Sequence, residues 1–372
     1  MKSSILISLF ASIFLLAVIH FMNIPVQTVE EKVIVKEPED TVRDVRNQIT
    51  FIMGTDKAGS ENPFYQSATE YYQLHPDHRE SRVVTSCRSL VEVRDYLATT
   101  ETDNCQPWGI VHIVVHGNQW SGIRTPVYKN GPRSTSDAVL TAIREKVFLP
   151  LPEDKADGQT IIKVQACALG NDVALIEALG KAFGGNRDYR NRPKIVSPKH
   201  FVIYETGKKA ATMYHQYLAA SWYTFCPSDS ALHLPVIAGQ LRSAYPEGQI
   251  SWENALKREN PRFPGDTYFH TFKIPVHWTI TYPRTTDRPV FKDEKDFLQW
   301  KDAQQELTSI MMKAGLPKEQ FTWVYKNIVI TSPNGEKMPA IKVSGTCSVV
   351  CVLQYLPEPE AGFSDQRYYC VR

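Results

Sequence analysis

The sequence lacks a dominant charge. Its 42 Lys and Arg residues nearly balance 40 Asp and Glu, leaving a formal net charge of +2, so no electrostatic argument favours nucleic acid or a polyanionic surface as partner. It also lacks a basic stripe, the paired spacing of zinc fingers and any repeat of fixed period, and no motif calls for a metal or a cofactor. A small-x-small cleavage site is missing from residues 20–28 (HFMNIPVQT). That absence matters because an apolar run, Ile5 to Ile24, stands directly before it. Only Ser8, Ser12, His20 and Asn23 interrupt this run. Roughly 17 to 20 apolar residues can span a bilayer, and without a cleavage site the run is expected to be an uncleaved signal anchor rather than a removed signal peptide. Lys2 precedes it, and Glu30, Glu31, Glu37, Glu39 and Asp40 follow. The positive-inside rule then predicts a cytoplasmic N-terminus. The body would lie outside, either at the cell membrane as a single-pass protein or in the periplasm or medium.

Apolar residues make up 42% and charged residues 22%, ordinary for a globular chain with enough material for a core. Seven cysteines are present, an odd number that leaves at least one without an internal partner. Three disulfides plus one free thiol would fit an exported protein. Cys347 and Cys351 lie in a β-like run, where i and i+4 stand roughly 13 Å apart, too far to bridge each other.

The pattern along the chain predicts residues 1–24 as signal anchor or signal peptide, 25–48 as a charged linker, 49–264 as an α/β domain with its core in 49–205, and 265–372 as an α+β or β-rich region. Within 49–205 strands alternate with helices. ITFIMG, SRVVTS (81–86), GIVHIVV (109–115), TIIKVQA (160–166) and KIVSPKHFVIY (194–204) read as strands. Residues 63–73, 89–100, 134–148 and 171–183 read as helices, the last closed by Gly184 and Gly185. This alternation implies right-handed crossovers and a mostly parallel sheet with helices on both faces. In such sheets ligands bind beyond the C-terminal strand ends, where the sequence places Thr55, Ser86 or Cys87, His116 and Cys167. Past residue 205 the signal changes: 208–225 is compatible with a helix, 294–316 reads as one amphipathic helix, and the runs FTWVYKNIVI and IKVSGTCSVVCVLQYL read as strands.

Two apolar strands thus deliver His116-Gly117 and Gln165-Ala166-Cys167 to one sheet edge. Adjacent strands lie about 4.8 Å apart, so the loop side chains just beyond them can converge. A thiolate is a nucleophile, and an imidazole beside it can lower its pKa and protonate a leaving amine. Gly117 leaves room for a substrate carbonyl. The N–H of Cys167, expected at the start of a helical turn, could help to hold an oxyanion.

These pieces, IVHIVVHGN (110–118) and IIKVQACALG (161–170), with His116 and Cys167 51 residues apart, resemble the caspase/legumain/gingipain group of clan CD cysteine peptidases. The resemblance covers about residues 49–205. Gln165-Ala166-Cys167 is similar to the caspase motif, whereas Gly170 is closer to the legumain and metacaspase pattern. Leu169 stands where caspases have Gly. The resemblance implies a caspase-like α/β fold and a peptide-bond hydrolase acting on protein or peptide substrates. In that group's terms His116 is the general acid/base, Cys167 the nucleophile, and Gly117 and Cys167 the oxyanion donors. Gln165 and Asp56 would line the substrate pocket. Asp56 is followed by Lys57, so the preferred charge stays open. A caspase-like binding module without activity is the alternative, and a non-peptidase thiol hydrolase or transferase a third.

Blander expectations accompany each residue. A cysteine at a strand end is commonly a small core residue. His112 and His116 have the spacing of a zinc pair, but on a strand they stand too far apart for one ion. A phosphatase loop requires Arg where Val173 stands. Cys87 is a minor rival nucleophile, His75 and His78 are expected to be solvent-exposed, and the aromatic residues after 205 are expected in a core.

Overall fold

The computed structural model describes residues 46–59, 63–74, 81–206, 212–225, 239, 243, 268–314, 321–331, 335–356, 366 and 368–372. The apolar N-terminal run and nearly all of the linker lie outside these residues, as do His75 and His78. Among the described residues no helix is long and apolar enough to cross a membrane.

The architecture is α/β. A six-stranded sheet has the order β2-β1-β3-β7-β8-β14, formed by β1 (Ile49–Ile52), β2 (Arg82–Val84), β3 (Ile110–Val114), β7 (Ile161–Gln165), β8 (Lys194–Pro198) and β14 (Tyr369–Val371). The first five are parallel, and β14 runs antiparallel to β8. The chain builds outward from β1 in two directions, to β2 on one side and β3 on the other, so the switch in strand order lies between β1 and β3. That is where a parallel sheet opens a crevice.

Strand alternation explains both faces. Ile49, Phe51, Val111, Ile113, Ile162 and Val164 point to one side and form the main core. They pack against α2 (Leu90–Thr99), α3 (Ser136–Arg144) and α4 (Val173–Gly184). The residues between them face the other way, and several are polar: Thr50, His112, Lys163 and Gln165 are all buried. This second face is covered by α1 (Phe64–Leu74) and by β9 (Phe201–Thr206), whose Phe64, Tyr72, Val202 and Tyr204 cluster with Ile52 and Val114. Each buried aliphatic or aromatic side chain contributes roughly 1.5–3 kcal/mol. Helix starts carry their own caps. Ser89 accepts from Glu92 N–H, Thr135 from Ala138 N–H and Asp172 from Leu175 N–H. Gly185, at φ +67°, ends α4 as its sequence predicts.

A small antiparallel sheet follows β3: β4 (Gly117–Asn118), β5 (Gly122–Pro126) and β6 (Arg133–Ser134). A second large sheet contains β9, β10 (Thr212–Phe225), β11 (Tyr268–Thr281), β12 (Thr322–Thr331) and β13 (Lys337–Leu356). The twenty-residue β13 is its axis, pairing with β11, β10 and β12. Helices α5 (Glu294–Asp302) and α6 (Gln305–Ala314) accompany it. Its core joins Ile274, Val276, Phe297, Phe321, Trp323, Ile341 and Val343.

Four expectations are corrected here. Residues 212–225 form a strand, because pairing with β9 and β13 overrides local helix preference. The single helix at 294–316 is two, divided at Ala303 and Gln304. The boundary at 264/265 does not divide the sheets: β9 and β10 pair into the second sheet, while β14, near residue 372, completes the first. The second sheet is therefore an insertion between two neighbouring strands of the first, a pairing no local pattern announces. The cysteines also differ from the three-disulfide arrangement, since Cys87, Cys105, Cys167 and Cys370 are free.

Removing residues 369–372 should destabilise the protein by about 4 kcal/mol, from the loss of buried Tyr369 and Cys370 and of the β8 pairing. A thermal unfolding midpoint equal to that of the intact chain would contradict this placement of β14.

Candidate functional site

The strands β3 and β7 run in parallel register, with Ile113 opposite Val164 and Val114 opposite Gln165. The pairing continues past the last strand residues, because Val115 N–H donates to Gln165 O at 3.2 Å. Beyond that, a Cβ placed on Gly117 would lie 3.1 Å from Ala166 Cβ. His116 and Cys167 therefore occupy equivalent positions on adjacent strand extensions. Alternation puts both on the face covered by α1 and β9, above His112 and Val114 on one strand and Lys163 and Gln165 on the other.

His116 is half-buried in an aromatic clamp. Its ring stacks on Phe64 at 4.4 Å between centroids and meets the edge of Tyr65 at 4.7 Å. Its backbone N–H donates to Tyr65 Oη at 3.2 Å, and its carbonyl accepts from Arg124 N–H at 2.8 Å. The clamp fixes the imidazole at the mouth of the β1–β3 crevice. His112 is a separate group, buried beneath it with Nδ1 3.2 Å from Tyr72 Oη.

Gly117 pairs with Ile123 in the small sheet. The Arg124-to-His116 bond flanks this pair, so the ladder does not use the Gly117 N–H. A side chain on Gly117 would strike Gly122 O at 3.0 Å as well as Ala166. Both observations suit a backbone donor in a tight place.

Cys167 faces a different neighbourhood. Its thiol donates to Val202 O in β9 at 3.6 Å, and the residue packs at the edge of the second sheet's core with Trp120. Burial pushes this thiol up to about 11, against the smaller opposing pull of hydrogen bonding. The following residue, Ala168, is left-handed at φ 53°, and its N–H donates to His200 O at 2.9 Å. Asn171 Nδ2 reaches Lys199 O, and a Cβ on Gly170 would collide with Ser197 O. The end of β8 and the short connection to β9 thus hold the cysteine loop through Ser197, Lys199 and His200. The expected helix start at Cys167 is corrected: a short 3-10 turn (Leu169–Asn171) intervenes, and α4 begins at Val173 with Asp172 as its cap. The helix dipole therefore gives Cys167 no help.

A cavity of about 850 Å3 opens in the crevice, lined in part by Thr55, Asp56, Lys57, Tyr65, His116 and Arg124. His116 reaches it, but Cys167 is not in its lining. Nor is Gln165, which is 1% exposed and hydrogen-bonded toward Tyr72, so its expected role as a pocket residue does not hold in this conformation. Asp56 does line the cavity, but its carboxylate accepts from the N–H groups of Tyr65 and Gln66, at 3.2 and 2.8 Å, and so caps α1. The sequence reading missed Arg124, Lys129 and Arg88, which join Lys57 around the same cavity. Their signal was the cluster of basic residues in the loops after β2 and β3. Cys87, the rival nucleophile, is buried in the main core, which pushes its thiol up as well.

Comparison with protein-family models, curated proteins and solved structures found no match to the chain.

The chemistry of Cys167 can be tested directly. With a pKa near 11, about one thiol in a thousand is ionised at pH 8, and the fraction rises tenfold per unit until that pKa. Alkylation of the native protein should therefore reach exposed Cys105 well before Cys167, with the Cys167 rate climbing steeply above pH 8. Equal labelling rates at pH 7, read by peptide mapping, would contradict the burial of the thiol.

Proposed function

We propose that the chain is a caspase-like cysteine peptidase in which Cys167 attacks a peptide carbonyl and His116 transfers the proton. The observation that carries this reading is the equivalent placement of the two residues on the ends of adjacent parallel strands, on one face of the sheet. A mostly parallel sheet with α1 on one face and three helices on the other agrees with the resemblance. In the reaction, Sγ forms a bond to the carbonyl carbon while its proton passes to His116. The Gly117 N–H and the Cys167 N–H face the developing oxyanion. His116 then returns the proton to the leaving amine as the C–N bond breaks, and water hydrolyses the thioester. Because the thiol is protonated, His116 has to act as a base during attack, and the sulfur has to leave the Val202 carbonyl. The run Ile5–Ile24 supports a position at a membrane with the body outside the cytoplasm.

A second reading has its own support. The contact of the thiol with Val202 O, its burial and its distance from the cavity lining suit a caspase-like binding module that does no chemistry.

Turnover of a mixed peptide library by the full chain separates the two. Peptidase activity should disappear in Cys167→Ala and fall about a hundredfold or more in His116→Ala. Cleavage that survives Cys167→Ala would sink the assignment of the nucleophile. An intact wild type with neither turnover nor labelling of Cys167 by a thiol-reactive peptide would favour the binding module.

A further inference from the structure

The strand β12 forms an outer edge of the second sheet. Among the described residues its backbone pairs with β13 alone, in a ladder that runs without a bulge from Thr322 opposite Thr346 to Thr331 opposite Lys337. An antiparallel strand directs every second N–H and C=O away from its partner. From Val324 to Thr331 the far edge therefore presents backbone groups to whatever lies beside it. Such edges are ordinarily kept short, or blunted by proline, a bulge or several charges. Here the strand has ten residues, no proline and a single charge, Lys326, where roughly five or six residues are usual. Its outer side chains are apolar as well. Val324 is 54% and Val329 63% exposed. Val290, 90% exposed, stands next to the same strand, because the residue after it, Phe291, meets the Tyr325 ring edge-on at 4.8 Å between centroids. A long bare edge bordered by exposed apolar side chains is a template for a further strand.

We propose that β12 pairs antiparallel with the β12 of a second copy of this chain, about a two-fold axis at Asn327, so that the two second sheets become one. The occupant follows from the register. A two-fold axis normal to the sheet keeps the packed face of each copy on the same side, and so pairs odd-numbered residues with odd and even with even. Centred on Lys326, the axis would set four lysines in a row across the joined sheet, because Lys326 already stands directly opposite Lys342 of β13 and both are exposed. Like charges directly opposite one another work against pairing. Centred on Ile328, it would push Val324 past the end of the facing strand at Thr331. Centred on Asn327, both conflicts disappear. Lys326 then meets the partner's Ile328, Val324 the partner's Ile330 and Tyr325 the partner's Val329. Asn327 meets its own image, and two facing amides can donate to and accept from each other. The strand is thus complementary to itself. This pairing concerns the second sheet, not the sheet whose strand ends carry His116 and Cys167, and it holds whether or not that pair is catalytic.

The test uses the full chain, kept in detergent because of the run Ile5–Ile24, and combines sedimentation over a range of concentrations with disulfide cross-linking. The wild type should sediment as a concentration-dependent dimer. Asn327→Cys, at an exposed position, should give a linked dimer on mild oxidation, above the background set by the wild type's own thiols. Thr331→Cys should not, since its image lies eight positions along the facing strand, roughly 26 Å away. Ile328→Lys sets a lysine against the partner's Lys326 twice in the dimer and should weaken association about tenfold. Ile328→Glu should leave association at least as tight as in the wild type. Both changes replace a half-buried side chain by a charged one, so the difference between them reads the partner's lysine rather than the fold. The cross-link at Asn327 stands independently of either. A monomer at every concentration, with no link through Asn327→Cys, would overturn the proposal. So would a dimer that Ile328→Lys leaves intact and that Thr331→Cys links as readily as Asn327→Cys, since the contact would then lie on another surface, such as the apolar N-terminal run.

Discussion

The parallel register of β3 against β7 is the constraint on which everything at the site depends. Five residues of each strand are locked together by backbone hydrogen bonds, and their apolar side chains face the α2–α4 layer. With the register fixed, alternation leaves no choice about the rest. His112, Val114 and His116 must share one face with Lys163, Gln165 and Cys167. A slip of one residue in either strand would send one member of the pair to the core side.

That same alternation produces an asymmetric sheet. One face is aliphatic and closed by helices. The other buries a row of polar groups, among them Lys163, whose ammonium burial pushes down to about 7 and which lies 5.7 Å from the ring of Tyr369. Buried polar layers are costly unless satisfied, and they tend to specify one arrangement of the elements around them. Here Lys163 of that row lies against Tyr369 of β14, so the strand that carries Cys167 is tied to a group from a distant part of the chain.

Much of this was legible in the residues. Strand alternation, caps such as Ser89 and Asp172, and the positions of His116 and Cys167 follow from patterns within about fifteen residues. What was not legible was long range. Nothing in TMYHQYLAASWYTF says that β10 will find both β9 and β13, and nothing in YCV says it will pair with β8. The setting of Cys167 was not legible for the same reason: its carbonyl acceptor is Val202, and the cluster it packs against includes Ile274 and Val343 of a different sheet. Asp56 lies at the cavity, and its capping of α1 depends on a turn of the chain that local pattern does not define.

The antiparallel strand β14 has a consequence for how the molecule comes to exist. Its Tyr369 pairs with Pro198, so the two partners are separated in the chain by the whole second sheet. A chain emerging from the ribosome makes β1 through β8 long before β14. During that interval the outer edge of β8 presents unpaired N–H and C=O groups, a template that any passing strand could extend. The inserted sheet, with its own long strands, is made during the same interval and within reach. Closure of the first sheet therefore waits on the last strand of the chain, and the edge of β8 stays open until β14 covers it.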